Sequence, residues 1–306
     1  MIRLDRISKS FKGKPALEPL SLEIAQGEVF GLLGHNGAGK STTFGLLLGH
    51  LRPSGGEAFI RNVSVQRNRS RALQRVGAIF ETPAFYDYLS GWRNLQMITA
   101  YSARVSPAEM TETVRFVGLE PRIHDPVRVY SHGMRQRLAL AQALLPAPDL
   151  ILLDEPAEGL DPVGIREMRE LILRLNRERG LTVVLSSHLL AEVEQTCGRV
   201  AILNRGRLVF QGHWDQLNDK RVRFHLEVDD WEKTRVVVAA HGGELLDAAG
   251  RPTVALPPDR DVANLISGLV SAGVRVRAVE PIRQSLEDLY LRTMADSSKT
   301  LATPAS

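Results

Sequence analysis

The chain has 306 residues, a net charge of +4, 43% hydrophobic and 24% charged residues, and one cysteine. That length allows one large domain plus a small one, and the apolar share supports real cores. The lone Cys197 excludes an intrachain disulfide and fits a reducing compartment, no run approaches the roughly 20 apolar residues of a membrane helix, and Arg3, Asp5 and Arg6 interrupt any N-terminal signal pattern.

Residues 2–8, 21–25 and 56–65 read as short strands of an antiparallel layer, with turns at Lys12-Gly13-Lys14 and Pro53-Ser54-Gly55-Gly56. Between them the apolar run Val29–Leu33 predicts a buried strand. It leads into GHNGAGKS, residues 34–41, and a helix from Thr42 to Leu48. This is G-x-x-x-x-G-K-[ST] in a strand–loop–helix setting. Glycines 34, 37 and 39 let the backbone curl so that successive N–H groups face phosphate oxygens. The following helix adds its N-terminal partial positive charge. Gly34, His35, Asn36, Gly37, Ala38, Gly39, Lys40, Ser41 and Thr42 are therefore the expected phosphate-binding stretch. Lys40 would reach the β- and γ-phosphates, and Ser41 would ligate Mg²⁺.

From about 83 to 145 the pattern becomes helical, with caps at Ser90 and at Ser106-Pro107-Ala108-Glu109. This reads as an inserted helical subdomain. Near its end, YSHGMRQR (130–137) places Ser131 and Gly133 at the start of an apolar helix, a second ready-made anion site. One nucleotide has no use for two γ-phosphate sites in one chain, so the pattern predicts two copies facing each other.

The run LILLDEP, residues 150–156, predicts a buried strand that ends in Asp154 and Glu155. Carboxylates at that end are costly unless cations or hydrogen bonds answer them. Asp154 can hold Mg²⁺ through water, and Glu155 can polarise an attacking water. A further buried run, Leu181–Ser187, ends in His188, which can donate to the γ-phosphate or hold that water. Residues 150–203 alternate strand and helix, as a parallel sheet requires, and Asn204-Arg205-Gly206 predicts a hairpin turn.

A boundary is expected near Gly212 to Lys220. Beyond it the order is strand (222–228), helix (231–240), strands near 244–246 and 253–256, helix (261–272) and strand (274–279). That β-α-β-β-α-β order reads as a small ferredoxin-like domain. A final amphipathic helix is expected over 285–293, and a disordered tail after about 295.

With these motifs in place, residues 2 to about 212 resemble the ATP-binding subunit of ABC transporters. The resemblance implies an α/β P-loop NTPase with a RecA-like parallel sheet, an antiparallel β layer, the inserted helical subdomain and a small C-terminal α+β domain. It divides the chain into 1–212, 213–295 and a tail, 296–306. Gly34–Ser41 resemble the Walker A loop, Asp154 the Walker B acid, Glu155 the catalytic Glu and His188 the switch His. Ser131 and Gly133 match the second and fourth positions of the signature L-S-G-G-Q. Gly159-Leu160-Asp161 resemble the D-loop, placing Asp161 beside the nucleotide. Phe11 resembles the aromatic that stacks on adenine, the competing reading being a core aromatic. Glu81 stands where the lid Gln is usual and would ligate Mg²⁺. Tyr130, His132, Met134 and Ala157 also depart from the common pattern. A lid Glu with Y-S-x-G-M-[KR]-Q-R is similar to the bacitracin- and lantibiotic-resistance exporters.

The implied function is ATP hydrolysis with Mg²⁺, powering export through a separate integral-membrane permease, with two copies sandwiching ATP. The implied location is cytoplasmic, on the inner face of the membrane, without nucleic acid. A soluble ABC ATPase acting on ribosomes or DNA is the alternative, but neither a tandem domain nor a coiled coil is present. A GTPase is disfavoured because no N-K-x-D motif occurs.

Overall fold

A computed structural model describes residues 1–80, 83–102, 105–145, 147–214, 221–248, 251–282, 286–287 and 290. The chain divides into two compact units, Met1–Trp214 together with Tyr290, and Asp215–Leu289. The larger opens with strands β1 (Ile2–Phe11) and β2 (Lys14–Ile24). They form a hairpin whose turn, Lys12-Gly13, has positive φ at both residues (48° and 79°), as a two-residue turn between right-twisted strands requires. Then come β3 (Val29–Leu33), α1 (Lys40–Leu47), β4 (Gly55–Ile60) and β5 (Val63–Ser64). The expected single strand over 56–65 is thus two, because Arg61 and Asn62 turn the chain at positive φ (51° and 61°). The antiparallel layer has the order β2-β1-β4-β5.

The chain continues through α2 (Arg69–Leu73), β6 (Val76–Ile79), α3 (Gly91–Ser102), α4 (Pro107–Phe116) and α5 (His132–Leu144). Both expected caps form. The Ser90 hydroxyl accepts the Arg93 N–H at 3.2 Å, and Ser106 and Glu109 make a reciprocal capping box with Pro107 at the first turn. The region is not helical throughout: two short 3-10 turns, Glu120–Arg122 and Val127–Val129, link α4 to α5.

Strands β7 (Leu150–Asp154), β8 (Thr182–Ser187), β9 (Arg199–Asn204) and β10 (Arg207–His213) alternate with α6 (Pro162–Arg179) and α7 (Leu190–Thr196). The main sheet has the order β10-β9-β3-β8-β7-β6, parallel except for the β9–β10 hairpin. Every residue of β3, β7 and β8 is buried. Uninterrupted apolar runs are what a parallel sheet covered on both faces demands. Its core is continuous with that of the antiparallel layer: Leu4, Ile7 and Leu22 belong to one cluster with Phe30, Phe44, Leu152 and Leu203.

The smaller unit consists of β11 (Val222–Val228), α8 (Trp231–Ala240), β12 (Glu244–Ala248), β13 (Arg251–Leu256), α9 (Val262–Ser271) and β14 (Val276–Ile282). Its antiparallel sheet has the order β12-β13-β11-β14. Phe224, Leu226, Val254 and Leu256 pack against Val238, Leu265 and Leu269 of the helices. The expected helix over 285–293 and the tail after 295 lie outside the described residues, apart from Leu286, Glu287 and Tyr290.

The seat of α5 on the sheet depends on Gly77 in β6. A Cβ built there would lie 2.1 Å from the Ala143 carbonyl oxygen, and backbone cannot move aside as a side-chain tip can. Gly77→Ala should lower stability by about 2 kcal/mol through overpacking. Urea unfolding checks this, and an unchanged midpoint would show that α5 shifts freely.

Candidate functional site

The loop after β3 curls through Gly34, Gly37 and Gly39, at φ 156°, 80° and 108°. At Gly39 a Cβ would also press to 3.1 Å from the Ala16 carbonyl. Close packing as well as turn geometry therefore requires glycine there. The helix begins at Lys40, two residues earlier than the sequence suggested. Lys40 is 6% exposed. Its Nζ donates to the Gly34 carbonyl at 2.6 Å and lies 3.0 Å from Glu155 Oε1.

Register brings the carboxylates to this lysine. Strand β8 lies between β3 and β7, pairing Leu33 with Ser187 and Asp154 with Ser186. The Ser186 hydroxyl donates to Asp154 Oδ1 and accepts the Glu155 N–H at 2.9 Å. Glu155 adopts φ 49°, a strained conformation for a residue with a side chain. Its Oε2 meets His188 Nδ1 at 2.9 Å and the His188 N–H at 3.3 Å. Lys40, Glu155 and His188 therefore form one connected network, with Asp154 held beside it.

A cavity of about 780 Å³ opens over Lys40, Asp154 and Glu155, with His188 outside its lining. It is lined by Ala16, residues 35–42, Asp154 and Glu155, with Pro83, His132, Gln136, Glu158 and Gly159. The expected phosphate-binding stretch is thus gathered with both carboxylates. Ser41 and Asp154 offer hard oxygen donors to the same space, a set suited to Mg²⁺.

Other expected residues lie apart from this cavity's lining. Phe11, at the end of β1, is 46% exposed, so it is not the core aromatic of the competing reading. The Lys9 ammonium sits 5.0 Å from its ring centre. Ser131 caps α5, accepting the Met134 N–H at 3.2 Å, and Gly133 lies in the first turn. Asp161 caps α6 by accepting the Gly164 N–H at 2.9 Å. Glu81 lies outside the described residues.

The departures in the signature have local causes. The Tyr130 hydroxyl donates to the Arg122 carbonyl at 2.8 Å, closing the turn before α5. Burial, aided by the Asp125 carboxylate, pushes its pKa up to about 12, so it stays neutral at physiological pH. His132 Nε2 lies 2.9 Å from the Glu158 carbonyl. Sequence reasoning missed Ser186, Gln136, Glu158 and Ala16. Only Ser186 carried a signal, a polar residue ending an apolar run, and its partner appears only with the strand register.

A glycine-curled loop opening a helix, beside two carboxylates at the end of a parallel strand one removed in the same sheet, defines a P-loop nucleoside triphosphatase. The family model described as ABC transporter matches residues 17–158. YhcH of Bacillus subtilis, an uncharacterised ABC transporter ATP-binding protein, is 39% identical over 98% of this chain and 97% of its own. The bacitracin transport ATP-binding protein BcrA of Bacillus licheniformis is 37% identical over 79% of each chain. The bacterial ABC transporter cassette MJ0796, solved as a dimer, is 27% identical with a TM-score of 0.62, over 70% of this chain and 98% of that one. The chain belongs to the ABC transporter ATP-binding proteins, and it is an ATPase. Such relatives set aside the ribosome- or DNA-acting alternative. Members of this family bind ATP, generally with Mg²⁺, and act as dimers with a separate membrane permease. Among the described residues no helix is long and apolar enough to cross a membrane.

Because Ser186 bonds both carboxylate residues, Ser186→Ala should cut ATPase turnover about tenfold while leaving the fold intact. Steady-state kinetics beside a melting curve check it. Wild-type turnover would show that the carboxylates hold themselves.

Proposed function

We propose that this chain is the ATP-hydrolysing subunit of a bacterial exporter of the bacitracin-transporter type, working as a dimer that sandwiches two ATP molecules. The observation that carries the reading is the network in which Lys40 and His188 each engage one oxygen of Glu155. In it a phosphate-binding cation, a base and the group that orients the base already share one hydrogen-bonded unit.

The roles follow from placement. Residues 34–42 present backbone N–H groups to the phosphates, and Lys40 supplies the compact charge that attracts them. Glu155 accepts the proton of the attacking water, and His188 keeps its carboxylate aimed. Ser41 and Asp154 would hold Mg²⁺, with Glu81 as a further ligand. The metal would neutralise charge on the phosphate oxygens. Phe11 offers an exposed ring to adenine. Ser131 and Gly133 give the N-terminus of α5 to the nucleotide of the second copy, and Asp161 acts at the same interface. The 213–295 region is read as an accessory domain without catalytic residues.

Glu155→Gln removes the base but keeps the phosphate contacts. Turnover should fall about a hundredfold or more, while ATP binding persists and ATP-dependent dimers accumulate. Turnover near wild type would remove Glu155 from its role.

The segment beside the lid supports a docking face for the permease. Asn94, fully buried, accepts the Tyr86 N–H at 2.8 Å and donates to the Tyr86 carbonyl at 3.1 Å. With the backbone so fixed, Tyr86 and Tyr88 stand 50% and 71% exposed, while Phe85 and Trp92 are partly buried. Exposed aromatics on a rigid segment suit a short helix laid across them. Asp87, between the tyrosines, pairs with Arg135 of α5 at 2.8 Å, which links this face to the signature helix. Tyr88→Ala should weaken assembly with the permease and transport about tenfold, with basal ATPase of the isolated subunit retained. Normal co-purification and transport would sink the docking assignment.

A further inference from the structure

Gln136 is only 6% exposed, and its side-chain Oε1 has no hydrogen-bond partner among the described residues. A buried acceptor without a donor is costly and calls for an occupant. Gln136 lies four residues after His132, on the same face of α5. Both line the nucleotide cavity alongside Glu158 and Gly159. His132 is already joined to that loop through the Glu158 carbonyl, at 2.9 Å.

The loop in question, residues 155–161, joins β7 to α6. It starts at positive φ in Glu155 (49°) and returns to it at Gly159 (73°). Its internal backbone bonds run from the Glu158 N–H to the Glu155 carbonyl at 3.1 Å and from the Leu160 N–H to the Ala157 carbonyl at 3.3 Å. So slight a set of bonds leaves much of its position to outside contacts.

We propose that His132 and Gln136 form a two-point clamp on this loop, and that Gln136 is a positioning residue for Glu155. Gln136 Oε1 accepts the backbone N–H of Ala157 or Gly159, directly or through one water, when nucleotide seats the loop. The clamp makes α5 and Glu155 move as a unit within one chain, a task distinct from the reach of Ser131 and Gly133 toward the second copy. The inference rests on the reading of Glu155 as the base.

Gln136→Met in the full chain keeps the shape and removes the acceptor. The expected result is a kcat about tenfold lower at unchanged KM for ATP, with Tm at or above wild type. Hydrogen exchange of amides 157–160, measured with a non-hydrolysable ATP analogue, should quicken several-fold. Unchanged kcat together with unchanged exchange would overturn the clamp, and so would a raised KM with kcat intact. Quicker exchange with unchanged kcat would support the clamp and count against Glu155 as the base, so the two readings fail separately. Should Gln136→Met not fold, Gln136→Glu keeps an acceptor at the same reach. Its loop amides should exchange at the wild-type rate, and faster exchange there would overturn the proposal.

Discussion

The constraint on which the site depends is the parallel register of β3, β8 and β7. Three apolar strands, buried on both faces, have their C-terminal ends level with one another. Everything polar that the site needs is placed where those strands stop. The phosphate loop leaves β3, Asp154 ends β7, and Ser186 is next to last in β8 with His188 just beyond its end. The three strand ends are far apart in sequence. Slipping β8 by one residue would turn Ser186 to the opposite face and strip both carboxylate residues of their shared partner. The ladders and the packing of the sheet together hold that register, so the buried sheet is what assembles the chemistry at its edge.

That edge concentrates charge in a poorly solvated place. Lys40 and Asp154 are nearly buried, and Glu155 lies between the lysine and His188. A buried ion pair gains little net stability, because desolvation offsets the attraction, but removing one member leaves the other uncompensated. The network is therefore better understood as an arrangement kept for chemistry. Glu155 also holds a left-handed backbone conformation, and such strain persists only where surrounding bonds over-determine it. Ser186 on its N–H and His188 on its carboxylate supply that determination.

Much of this was legible in the sequence because it is local. The phosphate loop, the acid pair and the helix caps each lie within a few residues, and each obeys a rule about adjacent backbone groups. The alternation of the small unit's strands was legible for a similar reason, since one face is covered by α8 and α9. What escaped notice was pairwise and distant. Ser186 has meaning only opposite Asp154, thirty-two residues away. Gln136 looks like any polar residue on a helix until its burial leaves Oε1 without a donor. Tyr130 reads as a departure from Leu until the Arg122 carbonyl is seen above its hydroxyl. The split of the 56–65 strand was missed because Arg61-Asn62 is an unusual pair for a turn with both residues at positive φ, where Asn-Gly is expected.

The same distinction explains why one chain gives an incomplete picture of catalysis. The first helix N-terminus, α1, faces the Lys40–Glu155 network, whereas Ser131 of the second, α5, lies apart from that cavity's lining. Members of this family act as dimers, and the role proposed for Ser131 and Gly133 is one that needs that second copy. Within one chain, α5 touches the Tyr86–Tyr88 segment through Arg135 and Asp87 and touches the loop after Glu155 through His132 and Glu158. One helix is thus bonded both to the Tyr86–Tyr88 segment and to the loop after Glu155. Gly77, by letting α5 lie directly against β6, seats that helix on the sheet that carries the carboxylates.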